Sequence, residues 1–66
     1  MIVIINGETR EVTQGSTLYD VIHLLGVQER VMAAAVNMEI VKQDQWEKAV
    51  LRDQDRIELL DFVGGG

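Results

Sequence analysis

Residues 17–26 read TLYDVIHLLG. Leu18, Val21, Ile22 and Leu25 fall at i, i+3, i+4 and i+7, which gathers four apolar side chains on one face of a helix. The ends are marked as clearly as the face. Thr17 and Asp20 have the spacing of a capping box, in which the hydroxyl accepts from an orphan amide and the carboxylate sits near the positive helix end. Gly26 stands at C′, where a helix commonly stops in a left-handed residue. One helix with one apolar face needs a second layer to cover it, and the flanking segments read as strands.

On the N-terminal side, residues 1–6 (MIVIIN) are a β-branched run that stops at Asn6-Gly7. Asn-Gly between strand-like runs predicts a hairpin through a type I′ turn, because both turn positions need positive φ. The second strand is then residues 8–13, whose polar alternation suggests a sheet edge. Gln14-Gly15 breaks it before the helix.

On the C-terminal side, residues 31–36 read as a buried strand with three alanines at its centre, where another element lies close. Residues 37–39 turn the chain and Ile40-Val41 make a very short strand. In KQDQWEKAV (42–50), Asp44 is placed to cap a single helical turn and Trp46 to lay its ring over one end of the core. Residues 52–55 form a polar turn, and a last strand runs over residues 56–63. This order predicts an α+β fold: a four- or five-stranded mixed sheet with one main helix on one face and the terminal strands adjacent in the middle, a β-grasp. Residues 1–63 form the domain and residues 64–66 a flexible tail.

Alternation assigns the faces. Met1, Val3 and Ile5 in the first strand, and Ile57 and Leu59 in the last, point at the helix, which leaves Glu58, Leu60 and Phe62 on the other face. Two large apolar groups on an open face suit a docking site. The competing reading is a strand that bends near Leu60 and tucks Phe62 into the sheet edge.

Composition narrows the function. The chain has 66 residues, no cysteine, no proline and one histidine, so its core comes from packing without disulfides. The net charge of −5 argues against nucleic acid and against an anionic membrane surface, since both require Lys and Arg. No segment reaches the roughly 20 apolar residues of a membrane span, and no charged-then-apolar leader opens the chain. A cytoplasmic location is the default expectation.

No self-sufficient catalytic constellation emerges. Ser16 sits where a helix start wants it. Asp20 and His23 lie three apart, but two ligands do not fill a coordination sphere, so no metal site is expected. Gly15-Ser16-Thr17 lacks the lysine and spacing of a phosphate loop. One reactive group remains, the α-carboxylate of Gly66. Ionised at neutral pH, it is a poor electrophile until a partner using ATP converts it to an acyl adenylate. Gly65 and Gly66 have no β-carbon to obstruct a narrow channel. Extended, residues 63–66 reach at most about 14 Å.

Several stretches together resemble the bacterial ubiquitin-like sulfur carriers, and among them the ThiS carriers of thiamin biosynthesis: MIVIING (1–7), GSTLYDVI (15–22), AAAVNMEIVKQDQW (33–46) and DRIELLDFVGGG (55–66). Where that family often has proline this chain has Lys42, and where it often has Gly-Asp this chain has Gln54-Asp55. The resemblance implies a protein co-substrate, not an enzyme, that binds no cofactor of its own. A ThiF-like adenylating enzyme would use ATP and magnesium to activate Gly66. A persulfide derived from cysteine by a desulfurase would convert the terminus to a thiocarboxylate, and thiazole synthase would accept the sulfur for the thiazole ring of thiamin. Gly66 carries the cargo, Gly65 and Gly64 give access, and Leu60 and Phe62 dock. Three alternatives share these features: the small subunit of molybdopterin synthase, a carrier serving cysteine or methionine synthesis, and a ubiquitin-like interaction module with a plain glycine tail.

Overall fold

The run Ile2–Ile5 forms β1, and Asn6 (φ 49°) and Gly7 (φ 85°) turn it directly into β2, Glu8–Glu11. Both turn residues are left-handed, as a type I′ turn requires. The structure, a computed structural model, describes residues 1–61. The end of the last strand at residue 63, the domain boundary there, the direction of Phe62 and the tail 64–66 lie outside the described residues.

Helix α1 spans Leu18–Leu24 and both of its ends are chemically closed. The Thr17 amide donates to Asp20 Oδ2 at 3.0 Å and the Asp20 amide donates to Thr17 Oγ1 at 3.1 Å, completing the capping box. At the other end Gly26 (φ 70°) donates to the His23 carbonyl and Val27 to the Ile22 carbonyl, the paired bonds of a Schellman stop. Seven residues would not hold a helix in water alone. Burial supplies the rest: Leu18, Val21 and Ile22 pack against Val3, Ile5, Ile57 and Leu59 on one face of the sheet. Each fully buried aliphatic side chain contributes about 1.5–3 kcal/mol.

The remaining strands are β3 (Val31–Val36), β4 (Glu39–Val41) and β5 (Arg56–Asp61). The sheet order is β2-β1-β5-β3-β4. Strands β1 and β5 pair in parallel with Ile5 beside Ile57, whereas β3 runs antiparallel to β5 with Ala34 beside Leu59 and Val36 beside Ile57. One helix on one face of a five-stranded mixed sheet, with the terminal strands adjacent, is the β-grasp. Trp46 is buried at one end of the core, and its indole N–H donates to the Val41 carbonyl at 3.0 Å. Among the described residues no helix is long and apolar enough to cross a membrane.

Three expectations need correction. Strand β2 ends at Glu11, opposite Ile2; buried Val12 still exchanges backbone bonds with Met1, and the Thr13 carbonyl already serves the turn into the helix, accepting from Ser16. The single helical turn is a 3₁₀ helix over Gln43–Lys48 whose N-cap position is Lys42, so Asp44 lies in its first turn and makes no cap. Strand β3 is only half buried. Ala34 belongs to the core, but Met32 is exposed beside an irregularity in register between Val31 and Ala33.

Gln54 explains one departure from the family pattern. It adopts φ 72°, the left-handed region where glycine is unstrained, and its amide is tied to the Ile2 carbonyl at 2.6 Å.

Candidate functional site

The sheet face opposite α1 carries the candidate site. Along β5 the alternation holds as expected: Ile57 and Leu59 are buried, Glu58 is exposed and Leu60 is 62% exposed. The strand continues through Leu60 to Asp61, with an irregularity in its register against β3 at that step; whether Phe62 tucks into the sheet edge lies outside the described residues. Across the ladder, Ala33 lies beside Leu60 and Ala35 beside Glu58, and Ile40 of β4 pairs with Ala35. Ala35 is buried yet stands outside the core cluster. Ala33 and Ala35 therefore floor an open groove of about 390 Å³ whose walls include Leu60, Glu58, Ile40 and Met38. The middle alanine, Ala34, points to the other face and packs into the core with the helix residues, as the sequence suggested.

Backbone geometry sharpens the rim of this groove. Asn37 (φ 51°) and Met38 (φ 72°) make the two-residue turn between β3 and β4. The second position of such a turn favours glycine, yet methionine occupies it and is 88% exposed. Ile40 is 72% exposed on the same face. An acidic chain thus presents a row of three large apolar side chains, Met38, Ile40 and Leu60, around one carboxylate, Glu58.

Of the residues singled out in the sequence, Leu60 is on this face, while Phe62, Gly64, Gly65 and Gly66 lie outside the described residues. His23 is on α1, across the sheet from the groove, and its ring lies 4.0 Å from that of Tyr19. Ser16 donates its hydroxyl proton to the Thr13 carbonyl at 2.6 Å, which serves the turn into the helix. Among the described residues no three His, Asp or Glu side chains gather as metal ligands. Asp53, away from the groove, is an acid displaced from its ordinary range. The Ile2 amide donating at 2.7 Å, helped by the Gln54 side chain, holds its carboxyl below the ordinary range.

Met38 and Ile40 were missed as members of the site. Strand β4 has three residues, too few for alternation to reveal a face, and only the pairing of Ala35 with Ile40 shows which way they point. Asn6 and Asn37 were read as turn residues alone. In the structure both carboxamides also reach β5: Asn6 bonds the backbone of Leu59, and Asn37 accepts from the Arg56 amide and donates to Asp55.

Comparison with known proteins places this geometry among relatives. A family model described as the ThiS family matches residues 3–66. The thiazole synthase of Paramagnetospirillum magneticum is 35% identical over 66 residues, all of this chain but 20% of that protein. The chain thus spans about a fifth of that relative. The sulfur carrier protein ThiS of Escherichia coli K12 is 27% identical over the full length of both chains. The crystal structure of the thiamine biosynthesis protein (ThiS) from Geobacter metallireducens superposes with a TM-score of 0.82 at 26% identity, covering both chains entirely.

Proposed function

The chain belongs to the ThiS family, and on that premise we propose that it is a sulfur carrier for the thiazole moiety of thiamin, with Gly66 as the carrying residue. The observation that carries the reading is the exposed Leu60 on β5, the strand that leads directly into residues 62–66. Burial of the apolar row against an activating enzyme would remove it from water and bring the terminus within reach of that enzyme's nucleotide site.

The chemistry is carried by partners. An adenylating enzyme of the ThiF type directs an oxygen of the Gly66 carboxylate at the α-phosphorus of ATP, with magnesium on the phosphates, and pyrophosphate leaves. The terminal sulfur of a persulfide, formed by a cysteine desulfurase, then attacks the acyl carbon and expels AMP. A thiol cleaves the resulting S–S bond, which leaves a disulfide on the donor side and a thiocarboxylate on Gly66. Thiazole synthase takes the sulfur from that group. A thiazole synthase containing a segment 35% identical to this chain supports that partner. The absence of cysteine also fits, since the carrier has no thiol to intercept its own cargo.

Intact mass decides the matter. Incubation with a desulfurase, an adenylating enzyme, ATP and cysteine should exchange one terminal oxygen for one sulfur, and deletion of Gly66 should abolish that exchange without altering the melting temperature. An unchanged mass with every cognate activating enzyme would overturn the proposal.

A further inference from the structure

Strand β5 outruns its neighbour. Strand β1 ends at Ile5, opposite Ile57, and the chain then turns away through Asn6-Gly7 into β2. Strand β5 continues to Asp61. Along that last stretch β3 still pairs with it on one side, through Ala34 beside Leu59 and Ala33 beside Leu60. On the β1 side, among the described residues, no strand is left to meet the backbone of Leu59.

Asn6 fills this place with its side chain. Its backbone amide donates to the Ile57 carbonyl at 2.9 Å, as the next residue of a parallel ladder would. In a continued ladder its carbonyl would then accept from Leu59, but the left-handed turn at φ 49° carries that carbonyl away. The carboxamide substitutes for it. The Leu59 amide donates to Asn6 Oδ1 at 2.8 Å, and Asn6 Nδ2 donates to the Leu59 carbonyl at 3.3 Å. Both polar groups of Leu59 are thereby held by one side chain from a residue 53 positions earlier.

A left-handed turn alone does not require this. Glycine would satisfy φ at this position, and Asp tolerates it nearly as well as Asn. Of these three, only asparagine supplies an acceptor for the Leu59 amide and a donor for the Leu59 carbonyl at once. The pin lies immediately before Leu60 and two residues before Asp61, where the described chain ends. It therefore holds the β1-side edge of β5 at Leu59, where the strand has lost its backbone partner, close to the end of the described chain.

We propose that Asn6 is a positioning residue for the sulfur-carrying terminus: its carboxamide clamps the Leu59 backbone and so aims the departing chain at the activating site. This rests on the carrier reading above. A terminus launched from a fixed rung reaches the nucleotide with less ordering left to do, and small misplacement at a reacting centre costs rate steeply.

The test compares wild type, Asn6→Gly and Asn6→Asp. Glycine keeps the turn and removes both bonds, while aspartate keeps the acceptor for the Leu59 amide and loses the donor. With the adenylating enzyme saturated in ATP, kcat for thiocarboxylate formation should fall about tenfold in Asn6→Gly with KM moving less than about twofold, and Asn6→Asp should recover part of the loss. The Leu59 amide should exchange with solvent about tenfold faster in Asn6→Gly while the β3 amides keep their protection. A lower melting temperature with unchanged kcat, or a rise confined to KM, would refute positioning. Unchanged exchange at Leu59 would refute the clamp itself, whatever the kinetics. Failure of the wild type to acquire sulfur would instead sink the carrier reading.

Discussion

Replacing Met38 with glycine should make the domain more stable and a worse partner. Met38 occupies the second position of the β3–β4 turn at φ 72°. For an L residue with a side chain the left-handed region costs about 1–2 kcal/mol. Glycine relieves that cost but enlarges the entropy of the unfolded chain by about 0.4–1 kcal/mol. The methionine side chain offers little in return, because the residue is 88% exposed. The balance favours Met38→Gly by about 0.5–1 kcal/mol, which in a domain of this size raises the melting temperature by about 2–8 °C. Thermal and urea melts followed by circular dichroism would measure it, with an unchanged m-value showing that the surface exposed on unfolding is the same in both proteins. In the carrier reading the same change strips one apolar group from the rim of the docking groove, and capture by the adenylating enzyme should weaken about tenfold. The two effects have opposite signs. A variant that melts at or below the wild-type temperature would show that the turn is not strained by methionine, and one that melts higher but binds equally well would remove Met38 from the interface.

Three further outcomes follow from the same geometry. Leu60→Arg alters an exposed position and should change stability by no more than about 0.5 kcal/mol, yet it should weaken capture by the activating enzyme, as should Phe62→Arg; pull-down yields equal to wild type for both would clear the open face of a docking role. Trp46→Ala empties a buried site and should cost about 3–5 kcal/mol, enough to leave much of so small a domain unfolded at 37 °C; a cooperative melt within a few degrees of wild type would mean that Trp46 does not close the core. Asp53, whose carboxyl is held below the ordinary 3.8 chiefly by the Ile2 amide, stabilises the fold above that pH and loses its contribution as pH falls through the lower folded value. Asp53→Asn should therefore be less stable near neutrality and show a shallower loss of stability on acidification, and parallel acid titrations of the two proteins would dismiss this bond as a source of acid sensitivity.

Legibility in the sequence tracked how local the governing physics was. The helix was readable because its period, its Thr17–Asp20 box and its Gly26 stop are all short-range and agree with one another. Asn6-Gly7 announced its turn for the same reason. Strand β5 was readable by parity, since one buried Ile57 assigns every neighbour to a face. Strands β3 and β4 were less legible. Three alanines are compatible with a packed partner or with the floor of a groove, and the difference lies in what stands two strands away.

By itself, then, the sequence determined the elements, the acidic and cysteine-free character, the inward and outward faces of β5, and the glycine ending, because each depends on residues close in the chain. The tertiary structure decided what those elements do together. It set Met38 and Ile40 beside Leu60 across three strands, turned Ala33 and Ala35 into a groove floor, and gave Asn6 a second task at Leu59. The reason is that sheet order and register bring together residues up to 53 positions apart, and beyond a hairpin neither hydrophobic period nor turn chemistry encodes which residues stand opposite one another.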